Sequence, residues 1–131
     1  MSRESFETVR EVLVALNRRD ADRYLACCTD DIELIPATGR IEGGYIGRSG
    51  IQRFFADLGD TAPDIEVEIE QLETVGQNVV AFERARARGR ASEVGGEIDF
   101  TTVYEFAGRK IRRIQVFLSR EEALEAAGLS E

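Results

Sequence analysis

The stretch Glu97 to Leu118, EIDFTTVYEFAGRKIRRIQVFL, constrains this chain more than any other. Ile98, Phe100, Thr102, Tyr104 and Phe106 alternate with Asp99, Thr101, Val103 and Glu105, the period-2 pattern of a strand with one dry face. After the break at Gly108, Ile114, Val116 and Leu118 alternate with Arg113, Gln115 and Phe117. Paired antiparallel, the two runs present one face that is almost wholly apolar. Everything upstream has to cover that face.

The upstream segments supply the cover. Phe6, Val9, Val12, Leu13 and Leu16 recur at helical spacing and predict an amphipathic helix over residues 4–17. Asn17-Arg-Arg-Asp20 breaks it, and Asp20 is a good N-cap for a second short helix carrying Tyr24, Leu25 and Cys28 on one face. Ile32-Glu33-Leu34-Ile35 reads as a short strand stopped by Pro36, and Ala37 to Gly47, with Gly39, Gly43, Gly44 and Gly47, reads as a loop. Ser49-x-x-Gln52 is a capping-box pattern ahead of Ile51, Phe54, Phe55 and Leu58, a third helix ending near Gly59. From Ile65 the period is two, with a turn at Gly76-Gln77-Asn78 and a return strand from Val79 to Arg90. Ser119-x-x-Glu122 opens a closing helix that stops at Gly128. The order α-α-β-α-β-β-β-β-α is that of an α+β domain in which a curved, mostly antiparallel sheet wraps around the N-terminal helices.

At 131 residues the chain fits one domain, 1–131, with a core of ordinary size. The net charge of −8 excludes phosphate-backbone binding, so no nucleic-acid partner is expected. No apolar run reaches the roughly 20 residues of a membrane helix, so no membrane partner is expected either. Cys27 and Cys28 are adjacent, which suits a reduced, cytoplasmic setting better than a disulfide. With 0 histidines the commonest base and the commonest metal ligand are both missing, and no metal or cofactor is expected.

Arg84, Arg86, Arg88 and Arg90 alternate along one strand. A three-residue turn after Val75 sets them against Glu70, Glu68 and Glu66, a solvated charge ladder rather than an anion stripe. The same register turns Ala85, Ala87 and Gly89 inward beside Val67 and Ile69, leaving space that either Phe54 or Phe55 fills or a ligand occupies. The candidate pocket is Leu34, Tyr45, Phe54, Phe55, Ala85, Ala87, Ile98, Phe100, Thr102, Tyr104, Ile114 and Val116, with the hydroxyls of Thr102 and Tyr104 to orient a ligand and Tyr45 at the rim. Asp30, Asp31, Glu33, Asp99 and Glu105 are the carboxylates considered for acid–base chemistry. Asp99 and Glu33 are carried forward as catalytic candidates, although both take the outward parity. Val103 and Phe117 are apolar yet outward, which points to a homodimer through the outer face of the sheet.

The opening helix–Asn-Arg-Arg-Asp–helix, Thr29-Asp-Asp-Ile-Glu33, Gly47-Arg-Ser-Gly-Ile-Gln-Arg-Phe-Phe55 and the ending from Phe117 to Leu129 resemble a SnoaL-like domain of the nuclear transport factor 2-like superfamily. The resemblance implies a cone with a pocket at its wide end. It also implies a set of catalytic positions, and this chain departs from them. Where the ketosteroid isomerases carry a tyrosine and two aspartates, it has Val12, Pro36 and Thr102, and their supporting tyrosines fall at Cys28 and Phe55. Where many SnoaL-like sequences carry His and Asp, it has Thr102 and Ser119. The inward Asp and Arg of the epoxide hydrolases are replaced by Ile98, Phe100, Ile114 and Val116, and the histidines of scytalone dehydratase are lacking. The resulting expectation is a pocket that binds a small apolar or aromatic molecule. The alternatives are an enzyme of polyketide cyclase or isomerase type using a carboxylate base, and a dimeric interaction domain with a filled cone.

Overall fold

The alternating stretches form a single bent sheet with the first three helices inside the bend and the last one outside. The structure is a computed structural model and describes residues 2–37, 44–87 and 97–129. Its elements run α1 (Ser2–Asn17), α2 (Ala21–Ala26), β1 (Cys28–Ile35), β2 (Tyr45–Ile46), α3 (Gly47–Thr61), β3 (Ile65–Val75), β4 (Asn78–Ala87), β5 (Glu97–Ala107), β6 (Lys110–Phe117) and α4 (Arg120–Leu129). The strands lie in the order β2-β1-β6-β5-β4-β3, and β1 runs parallel to β6 while every other pair is antiparallel. The α+β reading holds, with two local differences. Cys28 begins β1 instead of closing the second helix, and Tyr45–Ile46 forms a short strand inside the expected loop. Gly44 makes that return possible: its φ is +56°, and a Cβ there would stand 2.5 Å from the Leu34 carbonyl oxygen. Gly39, Gly43, Arg88, Gly89 and Arg90 lie outside the described residues.

Two caps follow expectation and one does not. The Arg23 amide donates to Asp20 Oδ1 at 3.1 Å, and the Glu122 amide donates to Ser119 Oγ at 3.1 Å. The helix α3 instead starts at Gly47 behind Ile46, with no side-chain cap, so the Ser49–Gln52 pattern is not used.

The register of β3 and β4 differs from the one expected by two residues. Glu68 faces Arg84 and Glu66 faces Arg86. Half of the difference arises at the turn. Gly76, at φ 63°, and Gln77 are its two central residues, so Val75 faces Asn78 rather than Val79. The other half is a β-bulge between Ile69 and Gln71. One residue of slip would have inverted every face; two restore the parity, so the charges stay outside. The arginines then reach along the strand. Arg84 lies 3.3 Å from Glu70, and Arg86 pairs with Glu68.

The free edge at β3 is tied to the helical layer by side chains of the Asn17–Asp20 connection. Asn17 donates through Nδ2 to the Val67 carbonyl at 2.9 Å and accepts from the Val67 amide at 2.9 Å, acting as one residue of an extra strand. Arg19, at φ 57°, donates to the carbonyls of Leu16, Ala62, Pro63 and Ile65 at 2.8–3.1 Å.

The main core joins Val9, Val12, Leu13 and Leu25 to Ile32, Ile51, Val79, Ile111 and Ile114 between helices and inner face. A second, smaller core lies on the outer face, where Ala123 and Ala127 of α4 cover Val80, Phe82 and Val103. Val103 is therefore outward, as expected, but covered by the chain's own helix, while Phe117 stays half-buried at its margin.

Asn17→Ala removes both hydrogen bonds to Val67 and should cost about 1–3 kcal/mol of unfolding free energy. The loss is measured by chemical denaturation, together with faster amide exchange at Val67; unchanged exchange there would show that the clamp carries no strain of the sheet edge.

Candidate active site in the cone

The inner face and the helices enclose a cavity of about 300 Å³. Its strand wall includes Leu34, Ala85, Ile98, Phe100, Ile114 and Val116; its helical wall includes Leu13, Leu16, Tyr24, Phe54 and Leu58. Ala85 and Phe54 both line it, so the space foreseen on this face is open rather than filled. Ile98 and Leu118, 58% and 65% exposed, stand at its mouth.

Among the described residues one ionisable carboxyl group sits in this wall, that of Glu83. The strand β4 turns Val79, Ala81, Glu83 and Ala85 to the inside, opposite Tyr104, Thr102, Phe100 and Ile98 of β5. Glu83 is 3% exposed. The Thr102 hydroxyl donates to its Oε1 at 2.8 Å and the Tyr104 hydroxyl donates to its Oε2 at 2.7 Å. Burial penalises the anion and outweighs both donated hydrogen bonds, so the carboxyl is pushed up to about 7. Burial, with the Glu83 charge next, in turn holds the Tyr104 phenol well above its ordinary value.

The hydroxyls of Thr102 and Tyr104 are thus committed to Glu83, and any ligand meets them through it. The acid enters beside position 102 from the neighbouring strand. The parity that turns Ala85 inward also turns Glu83 inward, two residues earlier, and that was the signal available in the sequence. It was masked by the Arg84–Arg90 alternation, which draws attention to the other face.

The other expected residues are placed as follows. Tyr45, Phe55 and Ala87 are not among the described residues lining the cavity. Tyr45 joins β2 to α3 instead: its hydroxyl donates to Asp57 Oδ2 at 2.7 Å, its ring meets Phe54 at 5.4 Å, and Arg53 lies 5.1 Å above it. Phe55 packs edge-on against Tyr24 at 5.2 Å. Asp99 lies on the outer face, where Arg84 Nε donates to it at 2.7 Å and holds it below the usual carboxylate range. Glu33 lies 3.5 Å from Arg113 Nε, and Glu105 pairs with Arg112 and Arg113. None of these three carboxylates lines the cavity. Cys28 is an inert core thiol, donating to the Tyr24 carbonyl at 3.3 Å and pushed up to about 12, chiefly by burial. Among the described residues no three His, Cys, Asp or Glu side chains assemble to hold a metal ion. No helix among them is long and apolar enough to cross a membrane.

The sequence profile of the SnoaL-like domain matches residues 9–114. The chain belongs to this family. No protein of curated function matches it. Among solved structures, this SnoaL-like domain is similar to an uncharacterised cystatin-fold protein of Novosphingobium aromaticivorans, 25% identical over 86% of this chain and 97% of that one, with a TM-score of 0.70. It is also similar to TerC co-crystallised with polyporic acid, 18% identical over 93% and 98% of the two chains, TM-score 0.75. A third likeness is to a putative SnoaL-like polyketide cyclase from Jannaschia sp. CCS1, 19% identical over 98% and 94%, TM-score 0.69. The last two establish the cone fold that this SnoaL-like domain shares with them.

The position of Glu83 sets a pH dependence. Its folded value, about 7, lies above the ordinary 4.5, so between these limits the folded state holds a proton that the unfolded state has lost. Stability is full below the lower limit and falls as pH rises through the upper one. At roughly 1.4 kcal/mol per pH unit, the fall approaches about 3 kcal/mol. Chemical denaturation across this range should show it in the wild type. Glu83→Gln should be flat over the range and the more stable protein on its alkaline side. An equal pH slope in the variant would place the titrating group elsewhere.

Proposed function

We propose that this SnoaL-like domain binds a small apolar or aromatic molecule in the cone and transfers a proton to or from it through Glu83. The observation that carries this reading is that, among the described residues, one carboxyl group, held by two hydroxyls, stands in a cavity walled chiefly by hydrocarbon and aromatic rings. A cavity of about 300 Å³ is at the small end for ligand sites. Its walls reward apolar surface at roughly 25 cal/mol per Å² before association costs are subtracted. A carboxylate offers about four acceptor positions. Thr102 and Tyr104 use two, fixing the carboxylate plane and leaving lone pairs for a ligand proton. A general base works best when its pKa lies near the working pH, and burial brings Glu83 to about 7. The reading replaces Asp99 and Glu33 by Glu83 as the base. A structural neighbour that bears the name of a putative polyketide cyclase is in keeping with an enzyme reading.

The aryl ketone α-tetralone is a suitable probe, because loss of a proton from the carbon beside its carbonyl is read directly by NMR as deuterium incorporation. The wild type at neutral pH should accelerate that exchange, and Glu83→Gln should lose roughly 100-fold or more of the acceleration. Equal rates for the two proteins would remove Glu83 as the base and leave only a binding pocket.

A homodimer through the outer sheet face is proposed on a narrower surface than the sequence suggested. Phe117 and Ile35 are half-buried there at the margin that α4 leaves open, and Leu118 adjoins them. Light scattering after size exclusion should give twice the chain mass at micromolar concentration; a clean 14.6 kDa species rules the dimer out.

A further inference from the structure

The cavity holds a second polar group that the site described above does not use. Tyr24 of α2 lines it, is 4% exposed, and its hydroxyl has no hydrogen-bond partner among the described residues. Polar groups buried to this degree are nearly always paired, and one left open to a cavity is a donor waiting for an acceptor. Tyr24, Glu83 and Tyr104 line the same cavity, so the phenol and the carboxylate share one space. Its ring is flanked by two others: Phe55 meets it edge-on at 5.2 Å and Phe54 stands at 6.4 Å. A hydroxyl on a ring so flanked has few orientations open to it, which lowers the cost of binding an acceptor.

We infer that Tyr24 is a specificity residue of the cone, donating its hydroxyl hydrogen to an acceptor oxygen on the ligand, so that the site takes apolar carbonyl compounds in preference to hydrocarbons of the same shape. This inference rests on the ligand-binding reading of the cavity and adds the chemical class of what is bound. Two polar groups then divide the work: Glu83 faces a ligand proton, and Tyr24 faces a ligand oxygen. The division is complementary because burial holds the Tyr24 phenol well above its ordinary value. It stays a donor while Glu83, titrating at about 7, becomes an acceptor only.

That separation supplies the test. At about pH 9 Glu83 is ionised and offers no proton to a carbonyl, so a preference for a ketone there reports another donor. Calorimetric titration with α-tetralone and with tetralin, the same skeleton without the oxygen, measures the preference. The wild type should bind α-tetralone roughly 3- to 10-fold tighter, the increment of one hydrogen bond. Tyr24→Phe should bring the ratio to about one while leaving the tetralin affinity unchanged, which also reports that the variant is folded. Persistence of the ketone preference in Tyr24→Phe would assign the donor to another group and overturn the inference. A ratio of one in the wild type, with both compounds bound, would overturn it without touching the pocket. Binding of neither compound would overturn it together with the ligand-binding reading.

Discussion

A bent open sheet has a free edge, and here the fold depends on how that edge is held. The last strand, β3, has one neighbour, and its other side would splay from the helices if nothing met its backbone. Asn17 meets it as a strand would, with one amide group satisfying both backbone partners of Val67. Arg19 gathers the carbonyls of the segment that leads into β3. The backbone conformation of Arg19, at φ 57°, is unfavourable for a side chain other than glycine, and the carbonyls it collects offset that cost. The first helix thus meets the sheet twice, through its packed apolar face and, at the edge, through side chains of the Asn17–Asp20 connection. The cavity lies directly behind it, with Arg19 itself in the wall.

Behind that clamp the protein tolerates a carboxyl group where a hydrocarbon would be more stable. The cost is limited because Glu83 does not have to be an anion. Held near 7, it is about as often neutral as charged in neutral solution, and either form keeps contact with Thr102 and Tyr104. A single valine or leucine at the same place would pack well and do nothing chemical. The departure from an apolar core is the local inconsistency by which functional positions are recognised.

Much of this arrangement was legible in the sequence. The faces of β5 and β6 follow from alternation alone, and so does the inward turn of Ala85. The caps at Asp20 and Ser119 follow from residue type. Less legible were features that depend on two segments at once. Glu70-Gln71 is a pair of adjacent polar residues in an alternating run, and it marks a bulge only when the partner strand is known to lack a matching residue. Tyr45 looked like a rim residue in a glycine-rich loop, but Gly44 lets the chain fold back on Leu34, and the ring is used up in holding α3. Asp99 and Glu33 are outward carboxylates that Arg84 and Arg113 reach from neighbouring strands, a pairing that sequence alone does not display. Glu83 and Tyr24 were the reverse. Each looked like part of a structural pattern, a charged strand and a helix face, and only the cavity between them reveals a shared position.

The helix on the outer face has a further bearing on how such a protein changes over evolutionary time. The strands that carry the cavity wall, β4 and β5, are also gripped from behind by Ala123 and Ala127, and Asn78 Nδ2 donates to the Ala127 carbonyl at 3.0 Å. Their cohesion therefore does not rest solely on filling the cone. Inner residues of these strands are free to exchange size and polarity while the backbone that presents them stays put. In a lineage, the lining becomes the part that drifts and the outer seam the part that is kept. Relatives with one shape and different linings are the outcome such an architecture favours.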